Sequence, residues 1–103
     1  MRIFVAGEGA DSKTRRSRIE LHSVIAFSRY EQMTRAVIVQ VSAMPCSGYR
    51  ADVVLRLKNG KKISAEARHS IAEVSAADAL ARASRNLRRL LLPVKGSAWR
   101  DSA

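Results

Sequence analysis

Residues 79 to 91, ALARASRNLRRLL, carry Arg82, Arg85, Arg88 and Arg89 in a segment that otherwise reads as a core-packing helix. A guanidinium group is planar, permanently charged and able to donate two parallel hydrogen bonds to phosphate oxygens, so a row of them suits a polyanion. Asp78 is the one acid between Ala76 and Leu92. Without pairs three or four residues apart to neutralise it, the row repels itself and loses helix stability, which a phosphate-bearing partner would restore.

Other reactive groups are few. His22 and His69 are the only histidines, and a nuclease using them as acid and base is the one catalytic chemistry they would allow. Two isolated histidines are more commonly surface or hydrogen-bonded residues, and no catalytic residue is assigned. Neither has further ligands at helix or hairpin spacing, so no metal site is expected. The run Gly7, Glu8, Gly9 lacks the following glycine and lysine of a phosphate loop. Cys46 is alone beside Pro45, which excludes an internal disulfide and reads as a small loop residue rather than a reactive thiol. No cofactor and no small-molecule substrate are expected.

Nineteen Lys and Arg against nine Asp and Glu give the 103 residues a formal charge of +10. Such an excess favours nucleic acid, an anionic membrane surface or an acidic protein as partner. The length suits one domain with one modest core, residues 1 to 92, followed by a short tail from 93 to 103. The start, MRIFVAGEG, reaches Glu8 and Asp11 too soon for a signal-peptide core, and no stretch approaches the roughly 18 apolar residues of a spanning helix. A cytoplasmic protein without a membrane partner is the expectation.

The elements that position these arginines follow from periodicity. RIFVA reads as a first strand ending at Gly7. From Lys13 to about Tyr30 the pattern is helical: Leu21, Val24, Ile25 and Phe27 share a broad arc that should face the core, and Arg15, Arg18, His22 and Arg29 cluster opposite as a basic outer stripe. AVIVQVS alternates, with Val37, Val39 and Val41 on one face. RADVVLRLK and KKISAEAR alternate in turn, with Ala51, Val53, Leu55, Leu57, Ile63, Ala65 and Ala67 inward. The Asn59-Gly60 pair between them is a hairpin signal, read as a type I′ turn. Ser75 with Asp78 resembles a capping box, placing a last helix from about Ala76 to Pro93 with Ala77, Leu80, Ser84, Leu87 and Leu91 inward.

The order is β-α-β-β-β-α: an α+β domain with a four-stranded, mostly antiparallel sheet and two helices packed on one face. Both basic stripes would then point outward on the same side of the molecule. Two adjacent helices, about 10 Å apart, make a ridged cationic surface able to meet several phosphates at once. Aromatic residues are scarce, and no strand alternates an aromatic pair to stack splayed bases. Structured RNA read by shape and phosphate is the expected partner.

Three stretches resemble a known family. VIAFSRYEQMTRAVIVQVSA, YRADVVLRLKNGKKISAEA and SAADALARASRNLRRLL are similar to the helix-to-strand passage, central hairpin and final helix of the ribosome hibernation-promoting factors, also called ribosome-associated inhibitor A. The resemblance spans about residues 19 to 92. It implies a protein that binds the small ribosomal subunit between head and body, against 16S ribosomal RNA, occludes messenger and transfer RNA sites and silences idle ribosomes. By matching position, Arg29 and Arg82, Arg85, Arg88 and Arg89 would contact the RNA backbone; Arg15, Arg18 and His22 rest on the helical wheel. The chain ends without the added dimerisation domain of longer members, so ribosome pairing by this chain alone is not implied. A double-stranded RNA-binding module or general RNA chaperone is the alternative, although such a domain begins with a helix and carries its basic cluster at the start of the last one.

Overall fold

The computed structural model describes residues 1–91; Leu92 and the expected tail lie outside the described residues. Strand β1 (Arg2–Gly7) leads through a 3-10 turn (Glu8–Ala10) into helix α1 (Lys13–Phe27) and a second 3-10 stretch (Ser28–Met33). Strands β2 (Thr34–Ala43), β3 (Tyr49–Leu57) and β4 (Lys62–His69) follow, and helix α2 (Ala72–Leu91) completes the expected order.

The sheet runs β1-β2-β3-β4, with β1 parallel to β2 and the other neighbours antiparallel. A parallel pair needs a long crossover, and α1 supplies it. Register places Ile3, Val37, Leu55 and Ile63 in one row across the covered face and Val5, Val39, Val53 and Ala65 in the next. Val37, Val39, Val41, Ala51, Val53 and Leu55 are wholly buried, as their alternation predicts. The opposite face stays open, with Phe4, Ile38 and Val54 in register across it.

The β3–β4 turn differs from expectation. Within the turn Gly60 alone has a positive φ, 90°, and Asn59 does not. Leu57 accepts from Gly60 N at 3.0 Å and donates to Lys61 O at 2.9 Å, which closes a three-residue loop rather than a type I′ turn. Asn59 contributes its side chain, Oδ1 accepting from Lys61 N at 2.9 Å, so it needs no left-handed backbone. Gly7 is demanded by space as well as by its φ of 113°: a Cβ there would lie 1.9 Å from the carbonyl oxygen of Val41.

Helix α1 is turned about its axis relative to the sequence reading. Phe27 is buried as expected, but Leu21 is 59% and Ile25 67% exposed, and Val24 is exposed with them. The inward stripe is Ile19, Ser23, Ala26 and Phe27, continued by Tyr30 in the 3-10 stretch. These positions follow the 3.6-residue period more closely than the broad arc does. Ser23 disguises the stripe, yet its hydroxyl donates to Ile19 O at 2.9 Å and so carries no unmet polar group into the core.

Helix α2 begins earlier than predicted. Its first turn is closed by Ser75 N donating to Ile71 O at 3.0 Å. Ser75 is therefore not a cap; it is buried within the helix, its Oγ donating to Ala72 O at 2.7 Å. The covered face is Ala72, Ser75, Ala76, Ala79, Leu80, Ala83 and Leu87, whereas Ala77 and Ser84 are half-buried and Leu91 is exposed. Small residues at five of these positions let the helix backbone settle close to β3 and β4, and Leu80 and Leu87 fill the remaining space.

Candidate nucleic-acid interface

Both helices lie on the covered face of the sheet and against each other, so their outer surfaces form a single layer. Helix α1 starts from Ser12, whose Oγ accepts from Arg15 N at 3.5 Å. Arg15 folds back instead of projecting, with Nη1 donating to Gly9 O at 3.4 Å, and Arg16 does likewise to Ala10 O at 3.3 Å. These arginines tie the helix start to the preceding 3-10 turn.

Arg18 and His22 face the neighbouring helix. Glu73, in the first turn of α2, receives Arg18 Nη1 at 3.5 Å and His22 Nε2 at 3.4 Å on its two carboxylate oxygens. A carboxylate there also suits the positive end of the helix dipole. The expected outer stripe of α1 is thus corrected. Rotation of the helix carries Arg15, Arg18 and His22 toward the 3-10 turn and α2, and the outermost surface presents Leu21, Val24 and Ile25. Arg29, on the 3-10 stretch, is exposed and forms no ion pair or side-chain hydrogen bond among the described residues.

The four arginines of α2 divide. Arg82, Arg85 and Arg89 line an open cleft of about 350 Å³ with Asn86 and with Ala65 and Glu66 of β4. Arg82 Nη1 donates to Glu66 O at 2.9 Å, and Asn86 Nδ2 to Ser64 O at 3.5 Å, so α2 is fastened along the free edge of the sheet. Arg88 is exposed on the same helix, outside that cleft. Among the described residues Arg85, Arg88 and Arg89 have no carboxylate partner. The arrangement can bind anions: exposed guanidinium groups on one helix layer, each with most of its five donors unused.

Two acids of the sheet are engaged on its other side. Glu66 and Asp52 both meet Arg50 Nη2, at 2.7 and 3.1 Å, on the open face of the sheet. Sequence reasoning missed Glu66, Asn86 and Glu73 as partners of the basic helices. Asn86 stands four residues after Arg82 and was visible as a neighbour on the wheel, but its role depends on where β4 runs.

The histidines are not brought together by any polar contact. His22 meets Glu73, and His69 Nδ1 accepts from Ile71 N at 3.0 Å. Among the described residues no group of three or more His, Cys, Asp or Glu could hold a metal ion, and no helix is long and apolar enough to cross a membrane. Cys46 is exposed in the β2–β3 loop.

No protein-family model matches the chain, and no curated protein sequence does. Solved structures do. A ribosomal subunit interface protein from Coxiella burnetii superposes with a TM-score of 0.72 at 17% identity, over 87% of this chain and 97% of that one. The N-terminal domain of Protein Y from Thermus thermophilus does so with a TM-score of 0.68 at 16% identity, over 86% and 94%. The chain has the fold of these proteins, the fold implied by the family resemblance in its sequence.

Proposed function

We propose that the protein associates with the ribosome and silences translation, its helix layer binding small-subunit ribosomal RNA and occluding messenger and transfer RNA sites. The observation that carries this reading is the set Arg85, Arg88 and Arg89 on α2 with Arg29 in the 3-10 stretch after α1: exposed, without carboxylate partners among the described residues, in a fold shared with a ribosomal subunit interface protein. A protein holding several phosphates by such groups binds by counterion release and needs no catalytic centre. Arg82 joins the set through the donors left after its bond to Glu66 O, and Arg18 and His22 contribute at its border with α2. Arg15 contributes to the helix start instead.

Sedimentation tests the reading. Incubated with separated ribosomal subunits, the protein should migrate with the small subunit, resist competition by arbitrary duplex RNA and lower the yield of cell-free translation. Equal affinity for any duplex would replace the ribosome with a general RNA target, and protein left at the top of the gradient at low salt would remove the proposal.

A further inference from the structure

We infer that the free edge of β1 is a self-pairing surface: a second copy of the chain adds there antiparallel, about a two-fold axis at Phe4, and doubles the four-stranded sheet. The pairing uses none of the arginines of α2 and stands independently of the ribosome reading.

The two edges of the sheet are finished differently. At β4, Arg82 donates to Glu66 O at 2.9 Å and Asn86 to Ser64 O at 3.5 Å, so side chains of α2 occupy acceptors that an added strand would need. β1 has no such cover. Among the described residues no hydrogen bond from a side chain, turn or loop reaches Arg2–Gly7, and the nearest, from Arg15 and Arg16, end on Gly9 and Ala10. Nor does its sequence protect it: RIFVAG holds one charge, Arg2, and no proline, and its register on β2 runs from Arg2 to Gly7 without a bulge. A regular, β-prone edge of this kind is a template for another strand.

Apolar surface accompanies the bare backbone. Phe4 is 51% exposed on the open face, and Ile3 and Val5 are only half-buried on the covered one. Helix α1 lies over this outermost strand. Arg18 and His22 turn to α2, so the opposite flank of α1 overlooks the edge. Val24, about 200° round the helix from His22, stands on that flank with Leu21 beside it, and both are exposed.

The occupant is a second copy because the edge complements itself. With Phe4 on the axis, Phe4 meets its own counterpart, Ile3 meets Val5 of the second copy and Arg2 meets Ala6. The covered-face row of Ile3 then runs on into the row of Val5, so the two cores join in phase. On the open face the basic row of Arg2, Arg56 and Lys62 comes into line with the row that carries Asp52 and Glu66. An axis perpendicular to the sheet keeps both helix layers on one side and turns the Val24 flanks of the two α1 helices toward each other. Their burial adds to backbone pairing that alone is too small for a stable dimer. The formal charge of +10 on each copy opposes the pairing, and salt screens that repulsion. Association therefore tightens as salt rises, the reverse of phosphate binding.

Sedimentation equilibrium of the full chain tests this without RNA. The mass should move from monomer toward dimer with concentration, and further at about 0.5 M than at about 0.1 M salt. Phe4→Lys, at an exposed position, should melt as the parent does and raise the dimer dissociation constant at least about tenfold, because an aromatic pair is lost and two like charges are set opposite each other. In a Cys46→Ser background, Phe4→Cys should cross-link to its counterpart under diamide oxidation, since directly opposed residues of an antiparallel pair stand about 4.5–5.5 Å apart at Cα, within disulfide reach. Ala6→Cys should not, its counterpart being about 13 Å further along the strand. A mass that stays monomeric at both salts, a dimer that salt dissolves or that Phe4→Lys leaves untouched, or equal cross-linking at the two positions would overturn the β1 pairing.

Discussion

Glu73 Oε2 lies 3.4 Å from His22 Nε2 although the two are 51 residues apart. Its other oxygen meets Arg18, which is 65% exposed, so this carboxylate crosses from α2 to α1 and partly offsets the cations beside it. Pairs this exposed contribute little to stability, about 0–1 kcal/mol. Glu73→Gln is therefore expected to leave thermal unfolding nearly unchanged while freeing Arg18 and His22 and raising the formal charge of +10 by one. Affinity for small subunits should rise at low salt, measured by titration at several ionic strengths; a fall would make the bridge part of the binding surface itself.

The rotation of α1 sets buried and exposed apolar residues of one helix against each other. Phe27 is wholly buried and Ile25 is 67% exposed. Phe27→Ala should cost about 3–5 kcal/mol, and Ile25→Gln should stay within about 0.5 kcal/mol. Denaturant melts of the two variants check this, and equal losses would put Ile25 in the core after all.

Phosphate contacts make binding fall with salt by about 0.7–0.9 log units per contact per log unit of salt. Arg82→Ala combined with Arg85→Ala should reduce the log-log slope by roughly one to two units without unfolding the domain. Arg15→Gln should leave the slope as it was, because that guanidinium is turned onto Gly9 O. A slope that responds to Arg15 and not to the α2 pair would move the interface to the helix start.

Two glycines with positive φ should differ in their tolerance of alanine. At Gly60 an added Cβ meets nothing within 4 Å, so Gly60→Ala costs only the backbone term of about 1–2 kcal/mol. At Gly7 the same Cβ would fall 1.9 Å from Val41 O, between the paired strands β1 and β2. Gly7→Ala should be the more damaging by a margin that equilibrium unfolding resolves at once.

Element order, the hairpin and the excess of arginines over acids were legible in the residues alone, since alternation repeats every two positions and is short-range. Val53, Leu55 and Ile63 face inward because they could not face otherwise without exposing their whole row. Helix faces are less tightly specified, for a broad apolar arc on a short helix allows more than one rotation. In α1 the choice fell to Ser23, a polar residue whose hydroxyl bonds within its own helix, and to Ile19 beside it. Only tertiary contact decided the rest: which acids meet which bases. Glu73 finds α1, Glu66 is drawn to Arg50, and Arg85 and Arg89 face no carboxylate among the described residues. Those pairings join residues on different elements, whose approach is set by packing of the whole layer rather than by spacing along the chain.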